Sequence, residues 1–324
     1  MPSRLPLSQK AIRELGFKAA SLKYLQAAGL YTMPVLYLNT LPPFKAFAEQ
    51  MNEAGFRAGK DLIAVRFSPH TTVLYQPRFW GAKTYRQVYA YLQESSSLFR
   101  KGTFLIVPSI KPIYMSTLYV QSRQSLYAEI VPGTWMTSAV SPSDRIHITT
   151  KGIRFEAYQE PRKVLSSWDA KKKQFRPSAA LPLTKPQAQR LAKIFWKLSK
   201  KVFPLHLPHC LLEIQIVPPL QLEVREIKTD RIDLTERTVT GEVFELNHHT
   251  DFAAWDKKTP LLVNVPADKF SAEHFFTLLK KIPKYTKRVY IKYGMLTHPA
   301  ILIREAGIET LPYRQKYTTY SFTF

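Results

Sequence analysis

A single cysteine, Cys210, is all the thiol that this 324-residue chain contains. That excludes an internal disulfide framework and suits a reducing cytoplasm. Two further features are missing: no apolar run is long enough to span a bilayer, and no basic-then-apolar leader opens the chain. The expectation is a cytoplasmic protein with no membrane partner. Acidic residues are scarce too, 24 Asp and Glu against 47 Lys and Arg, which leaves a formal net charge of +23. Such an excess attracts polyanions, from nucleic acid and nucleotides to anionic lipid. The basic residues are scattered, however: Lys171–Lys173, Lys200–Lys201, Lys257–Lys258 and Lys280–Lys281 fall in different segments. A solvated basic surface is therefore favoured over a dedicated nucleic-acid site.

What is present describes a folded chain. Hydrophobic content is 45% and aromatic content 13%, and the length favours two domains. Ile12, Leu15, Ala19, Leu22, Leu25 and Ala28 recur at helical spacing, so one helix is predicted over 8–30, ended by Gly29. An extended segment over 33–38 and a helix over 43–57 follow. Leu62 to Val65 reads as a buried strand with Arg66 at its end. A helix over 84–94 precedes strands at 104–107, 115–120 and 126–131. Residues 160–180 are polar and basic, which predicts a loop or linker. Thr184, Pro186 and inward-facing Leu191, Ile194, Phe195 and Leu198 mark a strong amphipathic helix over 183–202. Strands at 240–244 and 260–265, a helix over 271–281 and a strand over 288–293 complete the pattern.

Candidate chemistry lies at several points. Lys18 sits near a helix start, where it reads either as a point charge for phosphate or as an ordinary exposed lysine. Strand alternation puts Glu213 on one strand, with Glu223 and Arg225 together on one face of the next. Two such carboxylates can hold Mg²⁺ through the phosphates of a nucleotide; a solvent-face ladder of ion pairs is the alternative. Lys111 is a further cation placed at a strand end. His206, His209 and Cys210 invite zinc but lack a fourth ligand at suitable spacing, and the pair His248 and His249 reads as incidental. The last candidate lies in G-M-L-T-H-P-A-I-L-I-R-E-A-G-I, residues 294–308. Pro299 suits a first helical turn and Gly307 a C-cap, so His298 falls at a helix start, with Thr297 beside it as a capping hydroxyl. Free N–H groups there favour an anion such as a phosphate.

That segment resembles the phosphohistidine signature of the PEP-utilising enzymes, approximately G-G-x-T-S-H-A-A-I-x-x-R-E-x-G-I-P. Gly294, Thr297, His298, Ala300, Ile301, Arg304, Glu305, Gly307 and Ile308 match, while Tyr293, Leu296, Pro299 and Glu309 depart. The resemblance extends upstream. G-F-K-A-A-S-L-K-Y-L-Q-A-A-G-L-Y-T-M-P resembles the opening of the PEP synthase nucleotide-binding domain and puts Lys18 on its lysine. Arg66 falls on the arginine of V-R-S-S-A and Glu129 on the glutamate of I-E-A. Glu213, Glu223 and Arg225 fall on a closing hairpin in which Glu223 replaces a glutamine. The resemblance implies an α/β (α+β) chain: an ATP-grasp-like domain over 1–232, then a small swivelling β/β/α phosphohistidine domain over 233–324, without the PEP/pyruvate barrel. It implies ATP and Mg²⁺ at Lys18, Arg66, Glu129, Glu213, Glu223 and Arg225, with Glu213 and Glu223 on the metal. His298, aided by Thr297 and Arg225, would carry a phosphoryl group to a small-molecule or protein acceptor. Altered V-R-S-S-A, G-L-G-E and Q-A-R-P elements leave a degenerate ATP-binding scaffold as the alternative. A basic nucleic-acid-associated protein is the weaker one.

Overall fold

Gly16 splits the first predicted helix into α1 (Gln9–Leu15) and α2 (Phe17–Ala27). Its φ is +75°, and a Cβ on it would stand 2.6 Å from the carbonyl oxygen of Ser68, so only glycine lets the chain turn there. The Ser68 hydroxyl then accepts a 3.0 Å bond from the Ala19 N–H, which ties the start of α2 to the end of a strand. The computed structural model describes residues 9–71, 78–109, 112–133, 143–159, 162–169, 174–180, 182–202, 209–218, 221–229, 231–234, 242–247, 249–264, 272–292, 294–313 and 317–323.

The first unit is a four-stranded antiparallel sheet under two helices. It contains β1 (Leu36–Leu38), α3 (Phe44–Glu53), β2 (Ile63–Pro69), β3 (Arg78–Ala82), α4 (Tyr85–Glu94) and β4 (Gly102–Pro108), with strand order β1-β4-β2-β3. Helix α4 begins with a capping box: the Thr84 hydroxyl accepts from Gln87 N–H, and the Gln87 side chain accepts from Thr84 N–H. Phe47, Met51, Val88 and Leu92 close the layer against Ile63, Val65, Phe104 and Ile106, all buried.

The second unit is a long sheet. Its chain-order parts are β5 (Tyr114–Ser122), β6 (Ser125–Pro132), β7 (Asp144–Thr149), β8 (Gly152–Tyr158), a separate hairpin of β9 (Arg162–Asp169) and β10 (Gln174–Ala180), then α5 (Lys185–Val202), β11 (Cys210–Val217) and β12 (Gln221–Thr229). The hairpin stands where a linker was expected, and Pro177 falls at a register shift between its strands. Helix α5 lays Ala188, Leu191, Ala192, Phe195 and Leu198 on one face of the sheet, against Leu118, Ala128, Ile146, Phe155 and Leu212. Burying Phe195 alone contributes roughly 2–3 kcal/mol.

The third unit is an all-parallel sheet, ordered β13 (Phe244–Leu246), β14 (Leu261–Val263), β15 (Arg288–Ile291) and β16 (Glu309–Pro312). Helix α6 (Ala272–Lys281) joins β14 to β15, and α7 (His298–Glu305) joins β15 to β16. The chain then leaves this unit: β17 (Tyr317–Phe322) pairs antiparallel with β8. The long sheet therefore has the order β12-β11-β5-β6-β7-β8-β17. Tyr119, Tyr127 and Leu211 of that sheet belong to the same buried cluster as Leu246, Val263, Val289, Ile291, Met295 and Ile303. The described residues of the C-terminal part form a parallel α/β unit packed onto the long sheet, and the swivelling β/β/α carrier expected there is not shown. The fold as a whole is mixed α/β.

Candidate functional site

Register across the long sheet sets a row of polar side chains on the face turned away from α5. Reading from one edge, Glu226 opposes Glu213, Glu213 opposes Thr117, Thr117 opposes Glu129, Glu129 opposes Arg145, and Arg145 opposes Glu156. Alternation gives this result because Leu212, Leu118, Ala128, Ile146 and Phe155, one position away on each strand, point into the α5 core. The row divides into two environments.

At the β11–β12 end, the row meets the first sheet. Lys18 of α2, Arg66 of β2, and Arg225 and Glu226 of β12 line one recess. A bulge after Glu213 sets Glu226 opposite Glu213 and Glu223 opposite Gln215, which leaves Arg225 as the extra residue between them. Burial pushes Arg66 down to about 10, the like charge of Arg225 adds to this, and Glu213 and Glu226 pull the other way. The guanidinium groups lean on aromatic faces, Arg66 on Trp80 at 5.1 Å and Arg225 on Tyr31 at 5.7 Å. Glu223 is 1% exposed. Its Oε1 accepts from the Thr32 hydroxyl at 3.3 Å and from Gln221 Nε2 at 3.2 Å. Its Oε2 is buried without a hydrogen-bond partner, as are Arg225 Nη1 and Gln215 Oε1. Burial raises the Glu223 carboxyl above the usual range, against the opposing pull of Thr32 and Arg225.

Orphaned buried charges of both signs describe a place prepared for a ligand that brings its own charges. Three cations, Lys18, Arg66 and Arg225, suit the oxygens of a polyphosphate. Among the described residues, no group of three or more His, Cys, Asp or Glu side chains is arranged to hold a metal alone. The unpartnered Glu223 Oε2 instead fits a magnesium ion of the kind that binds one or two carboxylates and completes its octahedron with phosphate oxygens and water. Of the sequence candidates, Lys18, Arg66 and Arg225 line this recess, while Glu213 acts on Arg66 and Glu223 on Arg225 through their charges without lining it. Gln215 and Thr32 were missed. The E-I-Q spacing puts Gln215 on the face of Glu213, but nothing local signals Thr32.

The structure places Glu129 elsewhere. It is 0% exposed, and its carboxylate accepts from the Tyr127 hydroxyl at 2.7 Å, Met295 N–H at 2.7 Å and Leu296 N–H at 3.0 Å. Gly294 has φ +151°, and a Cβ there would lie 2.9 Å from Glu129 Cδ. The carboxylate expected to face a nucleotide is instead a clamp that fixes the 294–296 turn to β6. Thr297 is corrected as well: its hydroxyl donates to Gly294 O at 2.9 Å and does not cap α7. Arg304 Nη1 donates to Met295 O at 2.8 Å and to Thr310 Oγ1 at 3.1 Å. Glycine, threonine and arginine of the motif therefore shape one buried turn. His298 is the first residue of α7, and its side chain lies outside the described residues, as do Lys111, His206 and His248. His209 Nδ1 lies 2.8 Å from the Tyr119 hydroxyl, and burial pushes the Cys210 thiol up, which makes it a poor metal ligand.

No family model matches the sequence, and no curated protein does. Solved structures similar to the chain include D-alanyl-alanine synthetase A from Vibrio cholerae (TM-score 0.38, 13% identity, 65% of this chain and 54% of that one). The D-alanine-D-alanine ligase from Coxiella burnetii is another (0.37, 9%, 68% and 48%). A third is the macrocyclase MdnC with its precursor peptide MdnA from Microcystis aeruginosa (0.33, 11%, 65% and 51%). The chain spans about half the length of these structures. These are a synthetase, a ligase and a macrocyclase, further similar structures are ATP-grasp ligases, and none of these is a PEP-utilising enzyme, so the resemblance drawn from the 294–308 motif is corrected. Among the described residues, no helix is long and apolar enough to cross a membrane.

Proposed function

We propose that the recess between the first sheet and the β11–β12 edge binds the polyphosphate of ATP, with magnesium, and that the chain is an ATP-dependent enzyme. The observation that carries this is the meeting of Lys18, Arg66, Arg225 and buried Glu226 along one recess, with Glu223, whose second oxygen has no partner, near enough to feel the charge of Arg225. In this reading Lys18 and Arg66 hold phosphate oxygens from the α2 and β2 side. Arg225 holds them from β12, and Glu213 and Glu223 face the metal. Magnesium, when bound, would neutralise charge on the phosphates and fix their geometry.

The reaction class follows from what the C-terminal unit does. Its packing onto the long sheet and the bonds from the 294–296 turn to Glu129 support direct transfer over a shuttling carrier. The acceptor must come to the recess, and the phosphoryl group passes to it directly, as in ADP-forming ligation. The acceptor is a small molecule or a peptide; the net charge of +23 reflects a solvated surface. Calorimetric titration with MgATP, followed by separation of ADP, AMP and phosphate, tests this reading. Saturable binding that falls about tenfold or more in Arg66→Ala and Arg225→Ala supports it. Binding without any product marks a scaffold that holds the nucleotide without turnover. No binding at millimolar ATP would sink both readings.

A further inference from the structure

Most of the excess positive charge is scattered, as on a solvated surface, but one element gathers it. Helix α5 carries Lys185, Arg190, Lys193, Lys197, Lys200 and Lys201, and no Asp or Glu. Every exposed position along it holds one of these residues, except Pro186. Helical spacing makes the stripe. Leu191, Phe195 and Leu198 take the inner side against the long sheet, so positions 190, 193, 197 and 200–201 fall on the outer one. The polar row lies on the other face of that sheet.

Helix surfaces commonly mix the two signs, as Lys10 and Glu14 do on α1. On α5 the pairs Arg190–Lys193, Lys193–Lys197, Lys197–Lys200 and Lys197–Lys201 instead set like charges three or four residues apart, which works against the helix. The helix dipole offsets this only in the last turn, at Lys200 and Lys201. Nor do the strands beneath supply an acid. Asp144 of β7 is buried and accepts from Leu183 N–H at 2.8 Å and Tyr158 N–H at 3.0 Å. Glu156 of β8 belongs to the polar row on the far face, where it takes Arg154 at 2.7 Å. Among the described residues, none of Arg190, Lys193, Lys197, Lys200 and Lys201 forms an ion pair. A row of like charges with no acid between them suits a partner that brings a row of negative charge.

We propose that the outer side of α5 docks on the phosphate backbone of a nucleic-acid duplex. Residues 190 to 201 span about 16 Å at the helical rise, the length of about five phosphates along one strand. Contacts of this kind position a protein and carry no sequence information. The exposed positions of α5 hold no aromatic ring, so the bases of a single strand find no stacking platform there. An anionic membrane suits the helix less well, because the apolar side that would enter it is already against the sheet.

The experiment is fluorescence anisotropy of a short labelled DNA duplex, and of an RNA duplex of the same sequence, titrated with the full chain between about 50 and 200 mM salt. Arg190→Gln/Lys193→Gln/Lys197→Gln removes three charges from the stripe. Lys45→Gln/Lys60→Gln/Lys83→Gln removes three exposed charges from the first unit, so the net charge of the two variants is equal. The expected result is saturable binding that weakens steeply with salt. The stripe variant should lose about tenfold or more in affinity at the lower salt, with a salt slope smaller by about three, while the control loses less and keeps its slope. MgATP affinity should be unchanged in both, and the stripe variant should melt no earlier than the wild type, since like charges have been removed. Binding of either duplex in this pattern supports the proposal, and the tighter of the two identifies the source of the backbone. Absence of saturable duplex binding at the lower salt overturns it, as does an equal loss in the two variants or tighter binding to phosphatidylserine vesicles than to both duplexes. Acetylation footprinting of the wild-type chain makes the same check without a variant: the duplex should protect Lys193 and Lys197 and leave Lys45 and Lys60 open, and protection of the second pair alone would refute the docking.

Discussion

Glu129 and Glu223 stand on the same face of one sheet, and both are almost wholly buried. Glu129 has three donors on its two oxygens; Glu223 has one oxygen with two donors and one with none. Burying a carboxylate is tolerable only when its lone pairs are filled. The first glutamate meets that condition within the chain and so serves architecture. The second does not, and the deficit marks where an outside partner is needed. Residue type and spacing are alike in the two places; the count of partners separates them.

The largest effect that can test this contrast is at the clamp. Gly294→Ala adds a Cβ against Glu129 and forces an unfavourable φ, so a loss of about 4 kcal/mol in urea unfolding is expected. Glu129→Gln keeps the shape but turns an acceptor towards three donors into an amide. A loss of about 2–3 kcal/mol is expected, with MgATP affinity unchanged in calorimetry. If nucleotide binding falls while stability holds, the two glutamates have been assigned the wrong way round. At the cleft the pattern reverses: Arg225→Ala should weaken MgATP by about tenfold or more, with the unfolding midpoint of the apo chain shifted little.

The smallest effect carries a sign. A carboxyl raised in the folded state binds protons more readily there than in the unfolded chain. Glu223 therefore costs stability above the ordinary carboxylate range, and that cost is relieved as pH falls through its raised value. Glu223→Gln should accordingly make the apo chain more stable at pH 7, flatten this part of the stability profile just above pH ~4.3, and weaken MgATP. A less stable Glu223→Gln chain at pH 7 would mean that Oε2 is better satisfied than its surroundings allow.

Much of the architecture was legible because local rules decided it. The Thr184–Pro186 start and the 3.6-residue spacing from Leu191 to Leu198 fixed α5, and Gly307 at φ +80° does end α7. The break at Gly16 was not legible, since it depends on Ser68 arriving from a distant strand. Nor was the hairpin of β9 and β10, whose polar residues read as linker. Strands β3, β16 and β17 are short or half-exposed and left no clear alternation. At the site, alternation set Glu223 and Arg225 on one face of β12, but only the pairing of sheets brings Arg225 to Lys18 and Arg66. Alternation could not say that Glu129, on the same face, is covered by the 294–296 turn, because only the docking of a unit more than a hundred residues away decides that. The motif around His298 misled for a related reason: glycine, threonine and arginine at that spacing also build a buried turn.

One topological fact bears on how this molecule can move. The C-terminal parallel unit is entered from β12 and left through β17, and these are the two outermost strands of the seven. It is moored at both margins of the sheet it covers, like the handle of a basket. Slow exchange of the β17 amides would report how firmly that margin is held, without any need for ligand.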